Sequence, residues 1–133
     1  MSKKILILLS IALFTILAAC DNYNEDKINV KVEGNPTPKE ILADDENADI
    51  FFMGGTVYTN AENIEWVNKE DLTIGEKIGV IKNQTDNSEE FENFTASKLP
   101  TGTEIYEPQN KSGSIYIVKL NNEEIPYLGL VEG

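Results

Sequence analysis

Two pairs of turn residues, each set between short apolar runs, constrain this fold more than any other feature of the sequence. Gly54-Gly55 separates Ile50-Phe51-Phe52-Met53 from Thr56-Val57-Tyr58. Gly-Gly tolerates the positive φ that a two-residue hairpin turn demands. The register of such a hairpin sets Phe51 opposite Tyr58 on one face and Phe52 opposite Val57 on the other. Both faces are apolar, so each requires cover. Near the end of the chain, Ser114 to Leu120 and Glu124 to Val131 flank Asn121-Asn122, a second hairpin signal. A two-residue turn there pairs Lys119 with Glu124, Val118 with Ile125 and Tyr116 with Tyr127, whereas a four-residue turn would pair Leu120 with Ile125. Pro126 has no N–H to donate, so its nitrogen should face an edge or a bulge.

The intervening segments are shorter. Thr37-Pro38-Lys39-Glu40 reads as a helix start, with Thr as N-cap, Pro at the first helical position and Glu three residues on. That helix turns Ile41 and Leu42 inward and fades at Asp44-Asp45-Glu46. With Asp49 these are four carboxyls, but they lack the alternating ligands and turn glycine of a calcium loop and read as a solvated acidic end. Asn60 to Val67 reads as a helical turn or two capped by Asn60, with Ile64 and Val67 on one side and Trp66, the only tryptophan, expected in the core. Leu72 to Ile81 is a turn leading into a strand whose Ile74, Ile78 and Val80 face inward. Leu99 to Tyr106 repeats that syntax, Leu72, Gly75 and Ile78 corresponding to Leu99, Gly102 and Ile105, which suggests one turn-then-strand geometry used twice. The pattern predicts an α+β, mostly β fold: a small antiparallel sheet or partial barrel with one or two short N-terminal helices against it.

The first twenty residues speak to location. Lys3 and Lys4 precede an unbroken apolar run from Ile5 to Leu17, and Leu17-Ala18-Ala19-Cys20 closes it. A basic start, a short apolar region and small residues at the cleavage point form an export signal, too short to span a bilayer. Leu-Ala-Ala-Cys resembles the bacterial lipoprotein box. The resemblance implies diacylglyceryl attachment at the Cys20 thiol, cleavage before Cys20, and anchoring on the extracytoplasmic face of the cell membrane. Two or more acyl chains make such an anchor stable. The expected organisation is therefore a signal peptide over residues 1–19, a lipidated N-terminus and polar tether over 20–36, and one small β-rich domain over 37–133. Within the tether, Ile28-Asn29-Val30-Lys31-Val32 alternates with period two, as a short strand would.

All 23 acids and nine of the eleven lysines follow residue 19, leaving the exported chain at −14. That balance disfavours nucleic acid and anionic lipid as partners and would attract cations or cationic peptides. The chain contains neither His nor Arg. It thus lacks the usual general base near neutral pH and the planar fork that clamps phosphates. No serine has a lysine three residues on, and Ser97-Lys98 should point apart on a strand. Leu99-Pro100-Thr101-Gly102 lacks the extra residue, apolar tail and basic end of a sorting signal and reads as a turn. No cofactor or metal ligand set is expected, since Cys20 is the only thiol.

Asn83 to Asn93 is acidic and loop-like, with Phe91 and Phe94 placed to dock it onto the core. Loops of this length are often functional, so Glu89, Glu90, Phe91, Glu92 and Phe94 form the candidate contact surface. From Ala48 onward the chain is similar to small uncharacterised lipoproteins of Bacillus-type Gram-positive bacteria. The likeness rests on Ala48-Asp49-Ile50-Phe51, Val57-Tyr58, Trp66-Val67, Leu72-Thr73 with Gly75-Glu76, Lys98-Leu99-Pro100 with Gly102-Thr103, Ile105-Tyr106-Glu107, and Tyr127-Leu128-Gly129-Leu130-Val131-Glu132-Gly133. It implies a lipoprotein and carries no activity or site residue. The expected function is a lipid-anchored, non-enzymatic binding or envelope-associated module. Alternatives are an immunity-type lipoprotein capturing cationic peptides and, from another class, a carboxylate-dependent hydrolase of cell-wall polymers.

Overall fold

The computed structural model describes residues 34–110 and 113–131. The expected signal peptide, Cys20, most of the tether and the candidate strand at 28–32 lie outside these residues. By its contacts the chain divides into Met1–Val30 and Lys31–Gly133, and the fold below belongs to the second unit.

The chain opens with helix α1 (Pro38–Asp44). The Thr37 hydroxyl accepts from the Glu40 amide at 3.2 Å, and the Thr37 amide donates to Glu40 Oε1 at 3.0 Å. This is the reciprocal cap that the sequence spells out. There follow β1 (Ile50–Met53), β2 (Thr56–Asn60), α2 (Glu65–Asn68), β3 (Ile74–Val80), β4 (Asn83–Gln84) and a 3-10 turn at Ser88–Glu90. The remainder is β5 (Thr95–Ala96), β6 (Glu104–Pro108), β7 (Ile115–Leu120) and β8 (Glu123–Gly129). Eight strands form one sheet in the order β3-β6-β7-β8-β2-β1-β5-β4, curled into a half-barrel with the two helices on it. The sheet is not wholly antiparallel, because β4 and β5 run parallel.

Both hairpins adopt the two-residue turns that their sequences require. Gly54 and Gly55 sit at φ +60 and +84, Asn121 and Asn122 at +54 and +64. The pairs Phe51–Tyr58 and Phe52–Val57 form in the first, and Lys119–Glu124, Val118–Ile125 and Tyr116–Tyr127 in the second. Pro126 lies opposite Ile117, and its carbonyl accepts from Ala61 N just beyond the end of β2. Its nitrogen therefore points where no ladder bond is needed.

The sheet curls because one stretch of chain serves both of its edges. Val80 ends the first edge strand and Asn83 begins the last, three residues or about 10 Å of chain later. Ile81 N donates to Thr103 O at 2.8 Å and Gly102 N to Ile81 O at 2.8 Å, whereas Lys82 N donates to Phe94 O at 2.8 Å. Backbone bonds to opposite ends of the sheet thus leave from adjacent residues.

The enclosed face carries the main core: Phe51, Tyr58, Ile81, Ala96, Leu99, Ile105, Val118 and Tyr127 are all buried. Phe51 stacks on Tyr58 with centroids 5.1 Å apart and leans on Tyr127 at 5.3 Å. Aromatic pairs in such geometry contribute about 0.5–1.5 kcal/mol each beyond their area. The other face is covered in two places. Ile41 and Leu42 of α1 pack with Ile50, Phe52 and Val57. Ile64 and Val67 from the α2 region pack with Ile115 and Leu128. The two-faced apolar hairpin is thereby accounted for.

Four details differ from the sequence expectation. Trp66 is 54% exposed rather than in the core, because Ile64 and Val67 take the inward side of the four-residue α2. Asn60 closes β2 instead of capping α2, whose N-cap Ile64 makes no side-chain bond. Register shifts interrupt β3 on either side of Lys77: Ile78 packs against the enclosed core as expected, whereas Ile74 and Val80 are half-buried outside the core clusters and Ile81 is wholly buried. The apparent repeat also dissolves. Gly102 turns at φ +95, whereas Gly75 lies in a strand where an added Cβ would sit 2.8 Å from Glu107 O.

Phe51→Ala should cost about 3–5 kcal/mol, as deletion of a core aromatic does. Trp66→Ala should stay within about 0.5 kcal/mol, as exposed substitutions do. Urea unfolding followed by far-ultraviolet circular dichroism reads both.

Candidate functional site

The segment 83–94 is anchored rather than loose. Asn87 Oδ1 accepts from Glu89 N at 3.0 Å, and Thr85 Oγ1 donates to Glu90 Oε1 at 2.8 Å, so the acidic turn is held from within. Phe91 packs in the cluster beneath α1, and Phe94 packs against the enclosed core. Phe94 stands at φ +67 with its ring over Gly79, where a Cβ would meet Cε1 at 2.8 Å. The structure thus places Phe91 and Phe94 inward as docking residues and leaves Glu89, Glu90 and Glu92 exposed. Glu89 meets Lys39 of α1 at 3.8 Å, with both side chains largely in solvent.

Between α1 and this segment runs a groove of about 340 Å³, with Leu42 and Ala43 on one wall and Asp86, Asn87 and Ser88 on the other. Lys39 stands at the groove with Glu46. A second, more polar groove of about 390 Å³ follows Gln84, Thr85 and Asp86 toward Ser97 and Lys98. Sequence reasoning did not find the first groove. Its two walls lie some forty residues apart in the chain, and no local pattern marks their meeting.

A part-buried polar cluster, with only Tyr127 wholly enclosed, occupies the other end of β1. Asp49 Oδ1 accepts from the Tyr127 hydroxyl at 2.8 Å, and Asp49 Oδ2 accepts from Asn60 Nδ2 at 3.0 Å. The same Asn60 amide reaches Glu62 Oε1 at 3.2 Å. Burial first, and the Asp49 carboxyl second, push the Tyr127 phenol far above the usual tyrosine range. Burial also pushes Tyr58 up to about 12, with the neighbouring Tyr116 adding to it. These groups tie β1, β2 and β8 together. Ser97 acts similarly: its hydroxyl donates to Ala48 O at 2.6 Å and accepts from Ile50 N at 3.0 Å, which commits it to the start of β1.

The uncovered part of the outer face is charged. Glu104 accepts from the Tyr106 hydroxyl at 2.7 Å and from Lys77 Nζ at 3.3 Å, and the Lys119 ammonium lies 5.8 Å from the Tyr106 ring centre. The Tyr106 bond first, then Lys77, hold the Glu104 carboxyl below its ordinary range; the same bond raises Tyr106. Around Leu99-Pro100-Thr101-Gly102 the Thr103 hydroxyl donates to Pro100 O at 2.7 Å, and the stretch is a turn. Among the described residues no three His, Cys, Asp or Glu side chains gather as a metal site. No protein-family model, no curated protein and no solved structure matches the chain.

Two outcomes follow for the tyrosines. Tyr127→Phe leaves Asp49 Oδ1 without its donor and should destabilise the domain by about 1–3 kcal/mol in urea unfolding. In the unfolded chain a tyrosine ionises near pH 10. Tyr58 and Tyr127 hold their protons to higher pH when folded, so the folded state binds more protons above about pH 10. Their contribution to stability is complete below that pH and is lost as pH rises through about 12 for Tyr58, and higher for Tyr127. Phenolate absorbance should show these two rings ionising late, together with loss of the fold. Ionisation of every tyrosine near pH 10 with the fold intact would contradict the burial described.

Proposed function

We propose that this protein is a lipid-anchored, extracytoplasmic binding module with no catalytic role. The reading is carried by Leu17-Ala18-Ala19-Cys20 at the end of a short apolar run, followed by a polar stretch and one compact β domain that contains no cysteine. Acyl chains on Cys20 hold the domain at the membrane, and residues 21–36 let it stand off the surface. The absence of His and Arg from the chain supports binding rather than chemistry.

A narrower reading has its own support. At −14 the exported chain attracts cationic peptides, and the acidic residues Glu89, Glu90 and Glu92 stand exposed beside a groove. An immunity-type protein would use this field to intercept such peptides at the membrane before they insert.

The anchor is tested by fractionating cells that make the native protein or Cys20→Ala, with mass spectrometry of the N-terminus. The native protein should sediment with membranes and carry acyl mass on Cys20, and the variant should be released. Equal membrane retention of the variant would overturn the anchor. Capture is tested by titrating a fluorescent oligolysine peptide into the full-length protein. Binding should be strong near 0.01 M salt, where charges act over about 30 Å, and weak near 0.15 M, where they act over about 8 Å.

A further inference from the structure

We propose that the groove between α1 and the 83–94 segment seats a lysine or arginine side chain of an extended cationic peptide. The proposal rests on the capture reading above and names its contact point. The groove is about 340 Å³, at the lower end of the roughly 300–1,000 Å³ typical of small-molecule sites, and so fits one long side chain rather than a folded surface.

Its chemistry suits that occupant at both ends. Leu42 and Ala43 supply apolar wall for the aliphatic stem of a basic side chain, which buries readily while its head stays polar. Glu46, just beyond the end of α1, and Asp86, on the facing segment, supply carboxyls for that head. Among the described residues neither carboxyl has a hydrogen-bond or ion-pair partner. The last turn of α1 carries no basic residue, so the negative end of the helix adds an uncompensated attraction for a cation. Among the described residues the one lysine on this groove, Lys39, is drawn toward Glu89 at 3.8 Å. Past Asp86 the second groove, along Gln84 and Thr85, leaves room for the peptide chain to continue.

The test uses the full-length chain in phosphatidylcholine vesicles, which carry no net charge, and anisotropy of a fluorescent oligolysine peptide at low salt. Glu46→Gln with Asp86→Asn should weaken binding about tenfold, as loss of two close charges does. Glu76→Gln with Glu123→Gln, likewise exposed acids on β3 and the second hairpin, changes net charge by the same amount. This control should weaken binding no more than about twofold, because only the distant field changes. Ala43→Phe fills the groove without altering charge and should weaken binding as the first pair does. Unchanged urea midpoints establish that each variant is folded. Equal weakening by the two charge pairs, or tight binding by Ala43→Phe, would overturn the groove and leave peptide capture standing. No binding by the native protein at low salt would overturn capture and the groove together.

Discussion

The fold depends on the adjacent residues Ile81 and Lys82 bonding to opposite ends of one sheet. Ile81 exchanges bonds with the strand entering β6, and Lys82 donates to the carbonyl of Phe94 beside β5. Without that step the first and last strands would be open edges on a flat sheet, and a core of under a hundred residues would have no inside. No cysteine follows residue 20, so no bridge reinforces the closure. Packing must do so, at a size where burial is only just sufficient. Phe94 bears part of this. Its left-handed backbone is uncommon for a bulky residue, and it persists because its amide donates to Phe52 O at 2.7 Å and its ring is seated on Gly79.

The outer surface divides according to what the closure leaves uncovered. On the outward side of β1, β2, β7 and β8, the apolar residues Ile50, Phe52, Val57, Ile115 and Leu128 lie beneath α1 and the α2 region. Over β3 and β6 the outward side chains include Lys77, Glu104 and Tyr106, which satisfy one another in water. The first groove arises at the seam where α1 meets the acidic segment that closes the sheet, and the second runs from that segment toward Ser97 and Lys98. Packing and the proposed groove thus share one segment: Phe91 packs in the cluster beneath α1, and Asp86 of the same segment lines a groove with Glu46. A binding reading fits this economy. The polar groups that are deeply placed, Tyr127 with Asp49 and Ser97 with β1, are engaged in holding strands together.

Much of the fold was legible because its strongest signals are local. Gly54-Gly55 and Asn121-Asn122 demand left-handed turns, and such turns dictate register over the flanking residues. Thr37-Pro38-Lys39-Glu40 dictates a cap through bonds that span three residues. Errors arose where a local pattern competed with long-range packing. Trp66 reads as a core residue by type, but its small helix offers one inward side, and Ile64 and Val67 occupy it. Ile74, Ile78 and Val80 alternate correctly, yet the irregular pairing of β3 with β6 gives the deepest place to Ile81. The docking of Phe91 and Phe94 was legible as aromatic residues in an acidic loop. The groove beside α1 was not, since Glu46 and Asp86 come to line it only through tertiary contact.

By itself the sequence determined the β-rich class, the two hairpins with their registers, the helix start at Pro38 and the acidic charge. Each follows from steric or hydrogen-bond rules acting within a few residues, or from composition alone. Only the tertiary structure decided that β3 and β4 serve opposite edges, that β4 and β5 run parallel, that Tyr127 reaches Asp49, and that a groove opens between α1 and the acidic turn. Those outcomes join segments tens of residues apart. They are selected by the collective burial of the apolar faces and the pairing of the backbone groups between them, which no short stretch of sequence encodes.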